Sequence, residues 1–145
     1  MLCVLSGIAY RLFQCLFNAL CCMTGLFHMP LKACFVDFDN RPIGVFDSGF
    51  GGLTVARELV KRLPEENIIY YGDTAHCPYG PRDPEEVCSF VLNICSWLIS
   101  QNVKMIVLAC NTATAAGLEA AQKVFDVPII GVVEPGARAA ARATH

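Results

Sequence analysis

No run of basic residues occurs anywhere in this chain: 11 Lys and Arg stand against 13 Asp and Glu, a net charge of -2. That balance, with a pI near 5.9, gives nucleic acid no electrostatic footing, and no basic patch interleaved with aromatics offers a substitute. No two cysteines have CxxC spacing and no neighbouring histidines complete a zinc set, which argues against a metal site. The P-loop pattern with its Lys-Ser/Thr is missing as well. With 145 residues the chain is too short for two domains of ordinary size, yet long enough for one with a real core.

Cysteine, by contrast, is plentiful. Of the nine, Cys3, Cys15, Cys21, Cys22 and Cys34 fall in the first 34 residues. Cys77, Cys88, Cys95 and Cys110 are spread through an alternating strand and helix pattern, the distribution of a reduced, intracellular protein rather than of a disulfide framework. From Met1 to His28 the only formally charged side chain is Arg11, so a signal peptide or membrane anchor has to be weighed. Arg11, Gln14 and Asn18 interrupt the apolar run, and a mis-called start ahead of Met29 or a disordered extension fits better. A membrane anchor fits next, and a cleaved signal least. Residues 1–40 therefore read as a hydrophobic, Cys-rich extension, and 41–145 as a truncated α/β domain.

From Arg41 onward, short apolar runs alternate with helical stripes. Pro42 to Phe46 reads as a strand running into the glycine-rich Asp47-Ser48-Gly49-Phe50-Gly51-Gly52, where glycine permits positive φ and close approach of backbone to a ligand. A helix over Leu53 to Leu63 follows, with Leu53, Ala56, Leu59, Val60 and Leu63 as its apolar positions, and Pro64 ends it. Asn67 to Tyr71 is the second strand; a turn-rich loop from Gly72 to Pro81 leads to a helix starting near Asp83, whose core stripe is Val87, Phe90, Val91, Ile94 and Leu98. The third strand ends at Cys110, and an alanine-rich helix runs from about Thr112 to Val124. Val127 to Val133 reads as a fourth strand ending at Glu134-Pro135-Gly136, with a helix over Ala137 to Ala143. Such alternation implies right-handed crossovers and a parallel sheet covered by helices on both faces, of flavodoxin-like or Rossmann-like type. Asp47, Asp73, Cys110 and Glu134 would then share one rim.

Cys110 stands out because it lies between a strand end and a helix start. Open α/β folds place ligands at that edge, and the positive end of the helix dipole favours thiolate over thiol there. A buried structural thiol is the commoner role for a free cysteine. Three chemistries compete at the rim: phosphate binding at Gly49 to Gly52, an aspartyl nucleophile at Asp47 or within Asp37-Phe38-Asp39, and a cysteine base or nucleophile at Cys110. His76 is the only interior histidine that could serve as a base for a Cys-His hydrolase.

Four stretches resemble, in order and spacing, the amino-terminal part of bacterial glutamate racemases: Asp47 to Val55, Gly72 to Gly80, Ala109 to Ala115 and Gly131 to Ala137. The resemblance spans about Pro42 to Thr144. It implies cofactor-independent interconversion of L- and D-glutamate in the bacterial cytoplasm, the D form feeding peptidoglycan, with small-molecule glutamate as substrate. Cys110 resembles one of two proton donor/acceptor cysteines, and Asp47, Ser48, Tyr79, Gly80, Asn111 and Thr112 match substrate-site positions. The second cysteine, in a Cys-Thr-His motif, has no counterpart after Cys110, so a carboxy-terminal half or a second copy of the chain would have to complete the site. An aspartate racemase of the same superfamily, or a non-catalytic fragment or binding module, is the rival reading.

Because the strand and helix pattern begins near Pro42, deletion of Met1 to His28 should leave a soluble chain with one cooperative thermal transition. Loss of that transition would show that the domain needs the extension.

Overall fold

The computed structural model describes residues 39–144. Residues 1–38, which make up nearly all of the amino-terminal extension and include Asp37, lie outside them. Four parallel strands, β1 (Ile43–Asp47), β2 (Ile68–Gly72), β3 (Met105–Leu108) and β4 (Ile129–Gly131), stand in the order β2-β1-β3-β4. Between them run α1 (Leu53–Arg62), α2 (Pro84–Ser100) and α3 (Asn111–Val124), and α4 (Val133–Ala143) follows β4. The chain first steps from β1 outward to β2, then returns past β1 to build β3 and β4 on its other side. Strand order therefore reverses between β1 and β3, and the crevice beyond their carboxyl ends is where this class of sheet receives its ligands.

Alternation along the strands sorts the core into two layers. Phe46, Ile106, Leu108 and Ile129 pack under α2 and α3, against Val87, Val91, Ile94, Cys95, Leu98, Ala113 and Ala121. Ile43, Val45 and Val107 face the other way and are covered by Ala56, with Val55 and Leu59 beside it. The α2 stripe is thus core as expected, and its entry is fixed by Asp83, whose carboxylate accepts from the Glu85 N–H at 2.8 Å while Pro84 takes the first helical position. The α1 stripe is only partly core. Leu53, Val60 and Leu63 are exposed, because a short helix on a narrow sheet has one row of side chains over the strands.

The fourth strand departs most from expectation. It spans three residues rather than seven, and α4 already begins at Val133, so Glu134-Pro135-Gly136 lies in the first helical turn. Pro135 is tolerated there, because in a first turn its missing N–H would have had no helical partner anyway. Glu134 is consequently an exposed residue in the first turn of α4, three positions beyond the end of β4 and paired with Arg138.

At the opposite, amino-terminal edge, Asp39 precedes β1, and hydrogen bonds from the Arg41 guanidinium and backbone lower its pKa to about 2. Lys104 joins that edge through the Asp39 carbonyl and the Glu66 carboxylate. As a nucleophile candidate, Asp39 is at the wrong end of the strand. Among the described residues no helix is long and apolar enough to cross a membrane.

Helices α2 and α3 meet where Gly117 lies on Val91; a methyl group at 117 would come within 2.7 Å of the Val91 Cβ. Gly117→Ala gains roughly 0.5–1 kcal/mol of helix propensity, but Val91 is branched at the point of contact and cannot swing away. Overpacking of roughly 1–3 kcal/mol should win. A lower melting temperature for Gly117→Ala is the expected outcome; a stabilised variant would contradict this packing.

Candidate active site

The site is built from three chain segments that leave carboxyl ends of strands. Beyond β1, the Asp47 carboxylate is buried and accepts the Gly49 N–H at 3.0 Å, which curls Ser48 back over the strand end. Gly52 closes the turn. A Cβ there would lie 2.5 Å from the Asp47 Cβ and 2.9 Å from the Ala109 Cβ, so only glycine lets α1 start this close to β1 and β3. Close approach, not a left-handed φ, imposes glycine here; among the described residues it is Asn102 that has a positive φ.

Beyond β3, Cys110 is the N-cap of α3, with extended φ of -97° and ψ of 127°. Its Sγ accepts from the Ala113 N–H at 3.5 Å and stands 3.4 Å from Ser48 Oγ, across the β1–β3 junction. The thiol thus takes the place of the usual Ser or Asp cap. No acidic residue occupies the first turn of either α1 or α3, so no carboxylate within those turns offsets the positive ends of the two helices at this rim. Asn111 is exposed and Thr112 half-buried in the opening turn of α3.

Beyond β2, the loop from Asp73 to Asp83 is pinned by one buried carboxylate. The Asp73 N–H donates to the Asp47 carbonyl at 2.9 Å, and the Asp73 side chain takes the Tyr79 hydroxyl at 2.6 Å and His76 Nδ1 at 2.9 Å. His76 stacks on Phe90, and Arg82 holds the His76 carbonyl while lying over the same ring. His76 makes no hydrogen bond to Cys110, whose sulfur is engaged by Ser48 and the Ala113 N–H instead.

The seven residues singled out in sequence divide accordingly. Ser48 and Cys110 touch, and Asp47, Asn111 and Thr112 are their chain neighbours at the same two strand ends. Tyr79 is different: its ring is 1% exposed, packed on Phe46 with centroids 6.2 Å apart. Burial, then the bond to Asp73, pushes the Tyr79 phenol far above its ordinary range. Gly80 is exposed, with open space where a Cβ would stand. At this corner, then, the Tyr79 phenol faces Asp73 in the core and Gly80 is the exposed residue of the pair. Asp73 organises the loop without having been counted as a site residue; the signal was an acid directly after a strand, followed by a histidine and a tyrosine three and six positions on. Chemically, the junction offers a thiol, a hydroxyl, an amide and two helix starts around one crevice. Among the described residues no group of three or more His, Cys, Asp or Glu is arranged to hold a metal ion.

Residues 43–145 match the family model for Asp/Glu/hydantoin racemases. Over 106 residues, 73% of this chain and 39% of the relative, the sequence is 58% identical to the glutamate racemase of Exiguobacterium sibiricum. Among solved structures, a glutamate racemase isoform from Bacillus anthracis superposes with a TM-score of 0.68 at 54% identity, covering 70% of this chain and 38% of that one. The glutamate racemase of Francisella tularensis in complex with D-glutamate gives a TM-score of 0.62 at 45% identity, covering 65% and 36%. The chain thus spans about two fifths of the length of the curated relatives it matches.

Tyr79 supplies a test of the loop. Below the phenol's ordinary value of 10.0 the folded and unfolded chains both keep its proton, and the stabilisation is whole. Above it the unfolded chain releases the proton and the folded chain does not, so stability falls by up to about 1.4 kcal/mol per pH unit. Tyr79→Phe should melt lower at pH 7, by roughly 1–3 kcal/mol for the donor lost to a buried carboxylate, and should fall less steeply above pH 10. Parallel stability–pH curves for the two proteins would contradict the Tyr79–Asp73 latch.

Proposed function

Because this chain belongs to the Asp/Glu/hydantoin racemase family, we propose that it carries the first half of a glutamate racemase site, with Cys110 as one of two proton-transferring thiols. The observation that carries this reading is the Cys110 sulfur at the β1–β3 junction, capping α3 and facing Ser48. The identity of 56–58% to named glutamate racemases favours glutamate over aspartate as the substrate.

An α-hydrogen of an amino acid is a very weak acid, so its removal without a cofactor needs a poised base, donors for the charge that builds on the carboxylate, and exclusion of water. In the proposed reaction the Cys110 thiolate takes the α-hydrogen, and the electron pair of the broken C–H bond moves into the neighbouring carboxylate. Ser48, Asn111 and Thr112 bind that carboxylate beside the two helix starts, and Asp47 holds the turn that presents Ser48. Gly80 lets the substrate approach the loop backbone, which the buried Tyr79 fixes in place. A second thiol on the opposite face of the α-carbon gives its proton to complete inversion. That group comes from a carboxy-terminal segment or from a second copy of the chain. The product D-glutamate would serve peptidoglycan synthesis in a bacterial cytoplasm.

One placed acid or base contributes roughly 100- to 10,000-fold. The 145 residues alone should therefore racemise L-glutamate far below an enzymatic rate. Addition of the carboxy-terminal half of a matching racemase should restore turnover, read by chiral chromatography, and Cys110→Ala should abolish the restored activity. Normal turnover by the isolated chain, or rescue that survives Cys110→Ala, would overturn the half-site reading.

A further inference from the structure

We propose that Thr114 is a positioning residue for Cys110, its hydroxyl stitching the end of β3 to the first turn of α3 so that the thiol stays aimed at Ser48. The inference rests on the reading of Cys110 as the reactive thiol, but not on any turnover by the chain.

Thr114 is 8% exposed and lies four residues after Cys110. Its N–H donates to the Cys110 carbonyl at 2.9 Å, the ordinary first bond of the helix. Its Oγ1 lies 2.8 Å from the same carbonyl oxygen and 3.3 Å from that of Leu108, the last residue of β3. A helical threonine commonly bonds back four residues. Reach to a carbonyl six residues back is not part of that habit, and it arises here because the chain turns sharply at Ala109 and Cys110 between strand and helix. One hydroxyl proton thus serves two carbonyls that flank the elbow.

The side chain is held from the other side as well. Gly131 in β4 faces the Thr114 methyl so closely that any Cβ at 131 would collide with it. With the methyl fixed against β4, the rotamer that sends Oγ1 to the elbow is fixed too. Strand β3, helix α3 and strand β4 therefore meet on one residue, and the geometry that sets Cys110 Sγ 3.4 Å from Ser48 Oγ and 3.5 Å from the Ala113 N depends on it. Loss of the hydroxyl frees the elbow, and a sulfur that drifts from those donors holds negative charge less well.

The test uses the full chain, alkylation by iodoacetamide read residue by residue by mass spectrometry, and thermal melting. Thr114→Val keeps the shape and removes the hydroxyl; it should slow Cys110 labelling roughly 3- to 10-fold at neutral pH, the equivalent of one ordinary hydrogen bond. Thr114→Ser keeps the hydroxyl and should label Cys110 at close to the parent rate. Cys95, in the core, should stay unlabelled in both, showing that the fold is intact. If the valine variant does not fold, Thr114→Ala against Thr114→Ser makes the same comparison, since both lack the methyl and differ only in the hydroxyl. Unchanged or faster labelling without the hydroxyl, or equal slowing in the serine variant, would reduce Thr114 to a packing residue and overturn the proposal.

Discussion

The turn from β3 into α3 is the constraint on which the rest of the rim depends. A strand that is buried on both faces must stop, and a helix must start, within the two residues Ala109 and Cys110. The first N–H groups of that helix need acceptors, and the sulfur of Cys110 meets one of them. Because β1 is the neighbour of β3, the same sulfur arrives beside Ser48, and because Gly52 has no side chain, α1 starts close enough to bring a second helix end to the crevice. The meeting of thiol, hydroxyl and two helix starts thus follows from strand order and two close approaches.

The loop after β2 obeys a different logic. Its polar side chains look in sequence like a set of ligand contacts, yet most of them hold one another. Asp73 takes Tyr79 and His76, Phe90 supports His76 and Arg82, and the loop is tied to the β1 end by the Asp73 N–H. Together with the buried Tyr79 ring, this network orders the loop, and Gly80 stays exposed.

How much of this was legible in the sequence can be judged residue by residue. The strand alternation, the α2 stripe and the place of Cys110 were legible because periodicity and strand ends are local signals. Cys95, on the same helix as the stripe, is a core residue as its position indicated, and burial pushes its thiol up to about 12. The direction of the Tyr79 ring was not legible, since nothing local distinguishes a tyrosine that faces a ligand from one that faces a buried acid six residues earlier. The end of β4 was not legible, because the apolar run Val127 to Val133 suits a strand throughout and nothing local says that the helix already begins at Val133, with Pro135 tolerated in its first turn. Thr114 looked like one more small residue in an alanine-rich helix; its role depends on Gly131, which belongs to another strand.

The central claim is that Cys110 is a reactive thiol at the mouth of a substrate crevice, and alkylation in the presence of glutamate tests it most directly. Cys110 should label faster than Cys88 and Cys95, and millimolar glutamate should slow that labelling while leaving the slower labelling of Cys88, on α2, unaffected. Labelling of Cys110 no faster than that of Cys95, or labelling indifferent to glutamate, would contradict the account.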